Sequence, residues 1–535
     1  MDKKEIMELL EKEPKDNTEY SVRREKLLNV YKSGRLPYAA KFERTHTLKQ
    51  ATELEVGDKT AICGRVVSKR SFGKFMFMNI QDVNAKMQIS LSLNDLGEED
   101  YKFAKNNIDV ADFIGVSGEI YLTKTGELTV KCFSVKLLSK ALRPLPEKWH
   151  GLEDTDLRYR QRYLDLIVNE EVRDVFVKRS KIISYIRSYL EQNGFTEVET
   201  PQLQSVASGA VARPFITKHN TLDKDFYLRI APELYLKQVV AGGFDRVFEI
   251  GKNFRNEGMD ASHLQEFTML EWYAAYWDFE DNIKFSEGLI KGLVQSVTGG
   301  TKIKFGDDEI EFGGDWTRID YTKAMSDLLG EDVLSFTETA ELKRAIESKN
   351  LLEKADLDKC KSVPSLIDML FKRRLRPSII QPTVLYNYPA CLIPLARRND
   401  ENSNIIDMFQ VVVSGWELMK AYSELVDPII QREAFYEQLR NRNAGDDEAM
   451  DIDEAFVTAM EHGMPPMSGL GMGIDRLVAI ICNQPTLRDV ILFPTMKPLN
   501  GVKDENGVNK TESEAPKTEP EKIDFSKVEI EPLFK

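Results

Sequence analysis

The stretch "FRNEGMDASHLQEFTMLEW" sets Arg255 and Glu257 two residues apart, then a polar loop with His263, then Phe267, Met269 and Glu271 two apart. A spacing of two predicts one face of an outgoing strand and of its returning neighbour. A guanidinium can bridge two anions and an aromatic ring can stack on a purine, so the set suits a carboxylate held beside a triphosphate. On spacing alone, a structural ion-pair ladder is the plainer reading.

Two further stretches carry charge in unusual settings. "SGLGMGIDRLVAI" places Gly469, Gly471 and Gly473 ahead of Asp475 and Arg476 at the start of an apolar helix. Alternating glycines let a ligand approach the backbone of a strand, and Arg476 is placed to meet phosphate. No GxxxxGK[ST] phosphate loop occurs. "FQVVVSGWELMKAYSELVDP" reads as two strands about Ser414-Gly415. A two-residue turn there opposes Val413 to Trp416 and Val412 to Glu417, with Gln410 on the face of Glu417. Strict alternation puts Lys420, Tyr422 and Glu424 together and Glu417 on the other face. For all four to address one ligand, a bulge or strong twist must lie between Glu417 and Lys420.

The elements that must position these residues fall into blocks. A chain of 535 residues is too long for one ordinary core. With 42% hydrophobic and 30% charged residues it has a soluble, globular composition. No run of about 18 apolar residues occurs and the first residues are charged, which points to a cytoplasmic protein. Five scattered cysteines suggest buried thiols rather than disulfides or a zinc knuckle. A net charge of −14 argues against nonspecific polyanion binding, so the local distribution of charge decides.

Residues 1–50 form a helical extension with Val22, Leu27, Leu28 and Tyr31 near helical spacing before Gly34. Residues 51–145 hold about five short β-rich runs, which suits a small Greek-key barrel of the oligonucleotide-binding type. There "RVVSKRSFGK" carries Arg65, Lys69, Arg70 and Lys74 without an acid, beside Phe75 and Phe77. Cations near stacking rings are the two ingredients of single-strand binding; a solvated edge over core phenylalanines fits equally. Residues 146–500 form a large mixed domain with a striped helix ended by Gly194 and a helical insertion over about 322–375. The tail, 501–535, has little to bury and is expected to be disordered.

The chain resembles the class II lysyl-tRNA synthetases over nearly all of residues 20–500. The resemblance rests on "RREKLLNVYKSGRLPYAAKFERTHT", "ALRPLPEKWHGLEDTDLRYRQRYLDL", "ARPFITKHNTLDKDFYLRIAPELYLKQ", "PLARRND" and "RDVILFPTMKP". The three signatures of the class follow in order: "GFTEVETP" with Pro201, "FRNEG...EFTMLEW" with Arg255, and "GMGIDR" with Arg476.

This resemblance implies an α+β protein: a five-stranded oligonucleotide-binding barrel followed by an antiparallel catalytic sheet flanked by helices. It implies a homodimer whose interface includes Pro201, with ATP, Mg2+, L-lysine and lysine tRNA as ligands and no membrane partner. Arg255 would bridge the lysine carboxylate and the α-phosphate, and Glu257 would meet the adenine edge. Phe267 would stack the purine, with His263 and Arg476 on the outer phosphates. Glu233 and the Gly209 backbone would take the α-amino group, and Glu424 with Tyr273 the side-chain ammonium. Glu271, Tyr422, Gly471 and Gly473 would complete the amino-acid site. Arg70, Phe77, Gln88 and Glu127 would read the anticodon.

Two positions depart from the family pattern: Gln410 stands where glutamate is usual, and Lys420 where asparagine is usual. The usual glutamate pair holds magnesium, so Gln410 and Glu417 form a metal site with one negative charge fewer. Lys420 either contacts the lysine carboxylate or a phosphate, replacing charge that a second metal supplies, or points to solvent. A sister synthetase for aspartate or asparagine is the nearest alternative, but its pocket must offer cations where this one offers Glu233, Glu271 and Glu424. A catalytically idle tRNA-binding paralogue is the other, and it predicts loss of Arg255 or Arg476.

Overall fold

The structure is a computed structural model and describes residues 2–12, 16, 18–146, 152–207, 209–210, 212–260, 263–393, 396–443 and 452–497. The tail expected to be disordered lies outside the described residues. Contacts divide the chain into two units, Met1–Asp174 and Val175–Lys535, each taken by itself below.

In the first unit, β1 (Lys59–Phe72), β2 (Phe75–Gln81), β3 (Lys86–Ser92), β4 (Phe113–Leu122) and β5 (Leu128–Ser139) close into a barrel in the order β1-β2-β3-β5-β4. Alternation dictates the faces: Met76, Met78 and Ile80 fill the interior, whereas Phe75, Phe77 and Asn79 lie outside. The helix Glu19–Lys32 packs Val30 into this core. Its buried face also holds Arg23, Arg24, Leu27 and Leu28, while Val22, expected in the stripe, is 47% exposed.

The cation cluster of β1 divides in two. Lys69 Nζ donates to the carbonyl oxygens of Ala104, Lys105 and Ile108 at 3.0, 2.8 and 2.5 Å, closing the end of the helix Glu98–Asn107. Burial draws its pKa down to about 8. Arg65 donates to Ala111 O and lies 4.2 Å from the Phe113 ring centre. Both are structural, which decides for these two the choice the sequence left open; Arg70 and Lys74 remain exposed.

The second unit is built on an eight-stranded sheet. Its strands are β6 (Thr196–Glu197), β10 (Arg246–Phe254), β11 (Glu266–Ala275), β14 (Thr317–Asp320), β15 (Thr383–Pro389), β16 (Ile405–Val413), β17 (Trp416–Ser423) and β18 (Met467–Gly473). The order is β14-β15-β16-β17-β18-β11-β10-β6. β7 (Leu203–Gln204), β8 (Phe215–His219) and β9 (Lys224–Leu228) form a small separate sheet, and β12 (Lys302–Phe305) and β13 (Asp308–Glu311) a hairpin. The main sheet is antiparallel except at its two edges, where β6/β10 and β14/β15 are parallel. A parallel pair needs a crossover, and the chain between β14 and β15 supplies it as the expected helices, including Tyr321–Leu329, Thr339–Ser348 and Val363–Leu370.

One face of the sheet packs Leu270, Trp272, Phe409, Val411, Leu470 and Met472 against helices Glu170–Gln192, Phe279–Thr298 and Ile474–Ile481. On the other face the insertion covers Met408 and Val412. The rest of that face is left for a ligand. Of the five cysteines, Cys132 and Cys360 are buried as expected and Cys391 is exposed, contrary to expectation. No helix among the described residues is long and apolar enough to cross a membrane.

Candidate active site

The uncovered face opens into a cavity of about 570 Å³. Its floor is β18. Ser468, Leu470 and Met472 point to the core, so alternation turns Gly469, Gly471 and Gly473 to the cavity. Neighbouring strands lean over the gaps they leave, with Tyr273 and Tyr422 both opposite Gly469, and Glu271 and Lys420 both opposite Gly471. A Cβ on Gly469 would lie 2.2 Å from the Tyr273 ring and 2.4 Å from Glu424 Oε1, and one on Gly471 2.7 Å from Met269 Cε. At Gly469 glycine is required by the close approach of a ring and a carboxylate, whereas at Gly471 only the flexible end of Met269 would have to move.

The hairpin β16/β17 has the expected register, Val413 opposite Trp416 and Val412 opposite Glu417. Ser414 and Gly415 both have positive φ, 45° and 70°, the conformation of the tight turn that matches strand twist. Between Val412/Glu417 and Val411/Met419 the register shifts, leaving Leu418 as an extra residue. This bulge brings Glu417 round to the cavity with Lys420, Tyr422 and Glu424.

At one end of the cavity stand Arg255, Glu257, His263, Phe267, Glu417 and Arg476. The expectation that Arg255 and Glu257 share a strand face needs correction, because β10 ends at Phe254. Arg255 N–H still reaches Gln265 O, but Asn256 N–H turns away to Arg213 O. Gln265 Nε2 then donates to Glu257 O and Gly258 O, tying the loop. The Arg255 guanidinium lies 5.1 Å from the Phe267 ring centre, and its buried Nε has no hydrogen-bond partner. Burial lowers its pKa. His263 Nδ1 meets Asp260 Oδ2 at 2.9 Å. Arg476 donates to Glu417 O at 3.1 Å.

The other end is deeply buried, with Glu271, Tyr273 and Glu424 almost wholly covered. Tyr422 donates to Glu233 Oε2 and Tyr273 to Glu271 Oε2, each at 3.2 Å. Burial, and then the nearby Glu233, push the Glu271 carboxyl up to about 8. Burial and the same neighbour push Glu424 up to about 8 as well. The Glu424 carboxylate is buried, and the backbone of Gly469 meets it from the floor. Gly209, at φ +90°, stands beside Ala231 and Glu233. Lys420 lies opposite Gln410 across the strands, and burial lowers its pKa although Glu417 opposes the shift.

Sequence reasoning missed Lys237. This residue, on the helix Glu233–Ala241, is 4% exposed. Its Nζ donates to Glu233 Oε1 at 2.6 Å and pairs with Glu424 Oε2 at 2.5 Å. Burial alone would lower its pKa, but Glu233 and Glu424 hold it above the ordinary value. The signal was present as a carboxylate and a lysine four apart in "ELYLK", which reads as an ordinary surface pair.

Gln410 is the predicted residue that the structure keeps from the cavity. Its Oε1 accepts a hydrogen bond from Tyr388 at 2.8 Å, and its side chain is nearly buried. Among the described residues no group of three or more His, Cys, Asp or Glu could hold a metal ion. Pro201 is exposed between β6 and β7. On the barrel, Arg70 pairs with Phe77, and Gln88 with both Asn79 and Thr129. Exposed Glu127 begins the approach to β5, its N–H bonded to Thr123 Oγ1.

Residues 154–497 match the family model of the class II tRNA synthetases (D, K and N), and residues 60–138 that of the OB-fold nucleic acid binding domain. A lysine–tRNA ligase of Clostridium tetani is 45% identical over 495 residues, 92% of this chain and 98% of that protein. One from Pelotomaculum thermopropionicum is 45% identical over 502 residues, covering 93% and 99%. One from Aquifex aeolicus is 48% identical over 438 residues, covering 82% and 73%. A barrel that carries an exposed cation beside aromatic rings, and a glycine-floored cavity with arginines at one end and carboxylates at the other, accord with these matches: the chain belongs to the class II tRNA synthetases, and within them to the lysine–tRNA ligases.

Proposed function

We propose that this chain joins L-lysine to lysine tRNA in two steps driven by ATP. A lysine carboxylate oxygen attacks the α-phosphorus, the bond to the β-phosphate breaks, and pyrophosphate leaves. A hydroxyl of the terminal ribose then attacks the carbonyl carbon of lysyl-adenylate and releases AMP. A carboxylate is already a nucleophile at neutral pH, so the protein's work is positioning and charge neutralisation.

The observation that carries this reading is the pair of largely buried carboxylates, Glu233 and Glu424, lining the same cavity as Arg255 and sharing the single ammonium of Lys237. Two buried carboxylates with one ammonium between them keep anionic capacity that suits an incoming ammonium. In this assignment Glu424 and Tyr273 take the ε-ammonium, Glu233 and the Gly209 backbone the α-amino group, and Arg255 bridges carboxylate and α-phosphate. Glu271 and Tyr422 form walls over the floor at Gly471 and Gly473. Phe267 stacks adenine, Glu257 meets its edge, and His263 and Arg476 attend the outer phosphates. Lys420 approaches the carboxylate or a phosphate as a fixed cation.

Magnesium fits this site in part. Glu417 lines the cavity with its carboxylate free of protein hydrogen bonds among the described residues, whereas the Gln410 oxygen is engaged by Tyr388. One carboxylate with substrate phosphates is an ordinary Mg2+ setting, so Glu417 would hold an ion that neutralises phosphate charge. Gln410 does not fit as its second ligand.

The anticodon is assigned to Arg70, Phe77, Gln88 and Glu127, and the working form to a cytoplasmic homodimer with Pro201 at its interface. Lysine-dependent ATP–pyrophosphate exchange, followed by charging of lysine tRNA, tests the reading. Exchange driven by aspartate or asparagine, or by no amino acid, would refute it.

A further inference from the structure

The end of the cavity assigned to the substrate's ammonium groups already contains an ammonium. Lys237 Nζ sits between Glu233 Oε1 and Glu424 Oε2, at 2.6 and 2.5 Å. It also lies 5.9 Å from the ring centres of Tyr273, Tyr422 and Phe456. Two carboxylates and three aromatic faces form a cage suited to a cation, and the protein fills it from within. The helix that carries Lys237 is fixed by Leu234 packing on Phe435, Phe456 and Met460 and by Leu236 and Val240 packing on Tyr273, so the cation is anchored.

This bridge divides the work of each carboxylate. Glu424 gives Oε2 to Lys237 and turns its buried Oε1 to the backbone of Gly469 on the cavity floor. Glu233 gives Oε1 to Lys237, while its Oε2 accepts from Tyr422. One internal ammonium therefore fixes the separation of the two anionic points that, on the reading above, receive the two ends of the substrate. We propose that Lys237 is a positioning and specificity-determining residue, an internal ruler that matches the pocket to an amino acid with two ammonium groups at the spacing of lysine. The proposal rests on the functional reading above. A diamino acid one methylene shorter would reach only one anionic point well.

The test is ATP–pyrophosphate exchange by the full chain and by the variants Lys237→Met and Lys237→Arg, with lysine and with ornithine. For Lys237→Met the expected result is a lysine KM at least about tenfold higher, with discrimination against ornithine reduced by a similar factor, because a buried pair loses its central charge. The KM for ATP stays within about twofold, since no phosphate contact changes. Lys237→Arg keeps the charge but not the length, so lysine KM changes less while the lysine-to-ornithine ratio still shifts. An unaltered ratio in the variants, or in Lys237→Arg alone where Lys237→Met does not fold, overturns the ruler and leaves Lys237 a structural ion pair. Absence of lysine-dependent exchange in the unaltered chain overturns the functional reading and the ruler with it.

Discussion

The two ends of the cavity solve opposite electrostatic problems with different architecture. The end with Arg255, His263 and Arg476 draws on a loop and on the first turn of the helix Ile474–Ile481, and Glu257 and His263 there are exposed. Phosphates remain partly solvated and tolerate many cation geometries, so loosely tied cations suffice. The end with Glu233, Glu271 and Glu424 sits on a sheet and a rigid helix, with Glu271 and Glu424 almost wholly buried. Ions there lose their hydration, and each must find a partner at a fixed place. Paired carboxylates at the buried end, and cations carried by a loop and a helix at the other, fit the proposal that amino-acid choice resides at the buried end.

The largest test of this contrast is Glu424→Gln. On the assignment above a bound lysine ammonium holds Glu424 ionised, and glutamine would leave that buried ammonium uncompensated, a loss of about 3–5 kcal/mol. Lysine kcat/KM should then fall on the order of a thousandfold with little change in the KM for ATP. Equal losses for both substrates would erase the distinction between the ends.

Next in size are two glycine substitutions that place the same methyl group at each end. In Gly469→Ala the new carbon would lie 2.2 Å from Tyr273 and 2.4 Å from Glu424, so ring and carboxylate must move. A displacement near 1 Å costs roughly a hundredfold in rate, read as lysine kcat/KM. In Gly473→Ala the nearest atom, Arg476 Cδ, is 3.7 Å away, an ordinary contact, and activity should change by less than about threefold.

A smaller effect lies in pH. Burial and Glu233 push the Glu271 carboxyl up to about 8, with Arg255, Arg229 and Tyr273 acting the other way. Bound lysine, a cation, favours the ionised form, so binding releases protons below that value and affinity weakens as pH falls. Glu424, pushed up to about 8 by burial and Glu233 against the pull of Lys237, adds in the same direction. From pH 8 to pH 7 the lysine KM should rise by about fivefold if one of the two carboxylates is linked and by about thirtyfold if both are, since each linked proton gives at most tenfold per unit. Glu271→Gln should flatten part of that slope; a KM independent of pH would show both carboxylates ionised throughout.

Much of this arrangement was legible in the sequence where local rules govern it. The turn at Ser414-Gly415 and the pairing of Val412 with Glu417 follow from hairpin geometry. The three glycines facing the cavity follow from alternation in β18. What alternation cannot carry is an inserted residue, and the bulge at Leu418 reversed the facing of Glu417. The structural roles of Lys69 and Arg65 stayed undecided in the sequence because their carbonyl partners lie 35 to 46 positions away in the chain. Lys237 was missed because only the fold brings Glu424 to a lysine that locally belongs to Glu233.

The finest test concerns the boundary between the ends, where Lys420 faces Gln410. Glu417 is raised toward the cavity beside a buried ammonium, and the Gln410 oxygen is held by Tyr388. If Lys420 supplies fixed positive charge at the carboxylate or phosphate, less of it need come from a bound ion. Lys420→Asn should then shift the magnesium concentration for half-maximal adenylation upward by about threefold, the effect of a charge pair in a partly hydrated setting. Gln410→Glu should lower it only if the new carboxylate leaves Tyr388 and turns to the cavity. An unchanged magnesium curve in Lys420→Asn would assign Lys420 to the wall of the pocket and leave phosphate neutralisation to Arg255, Arg476 and the ion at Glu417.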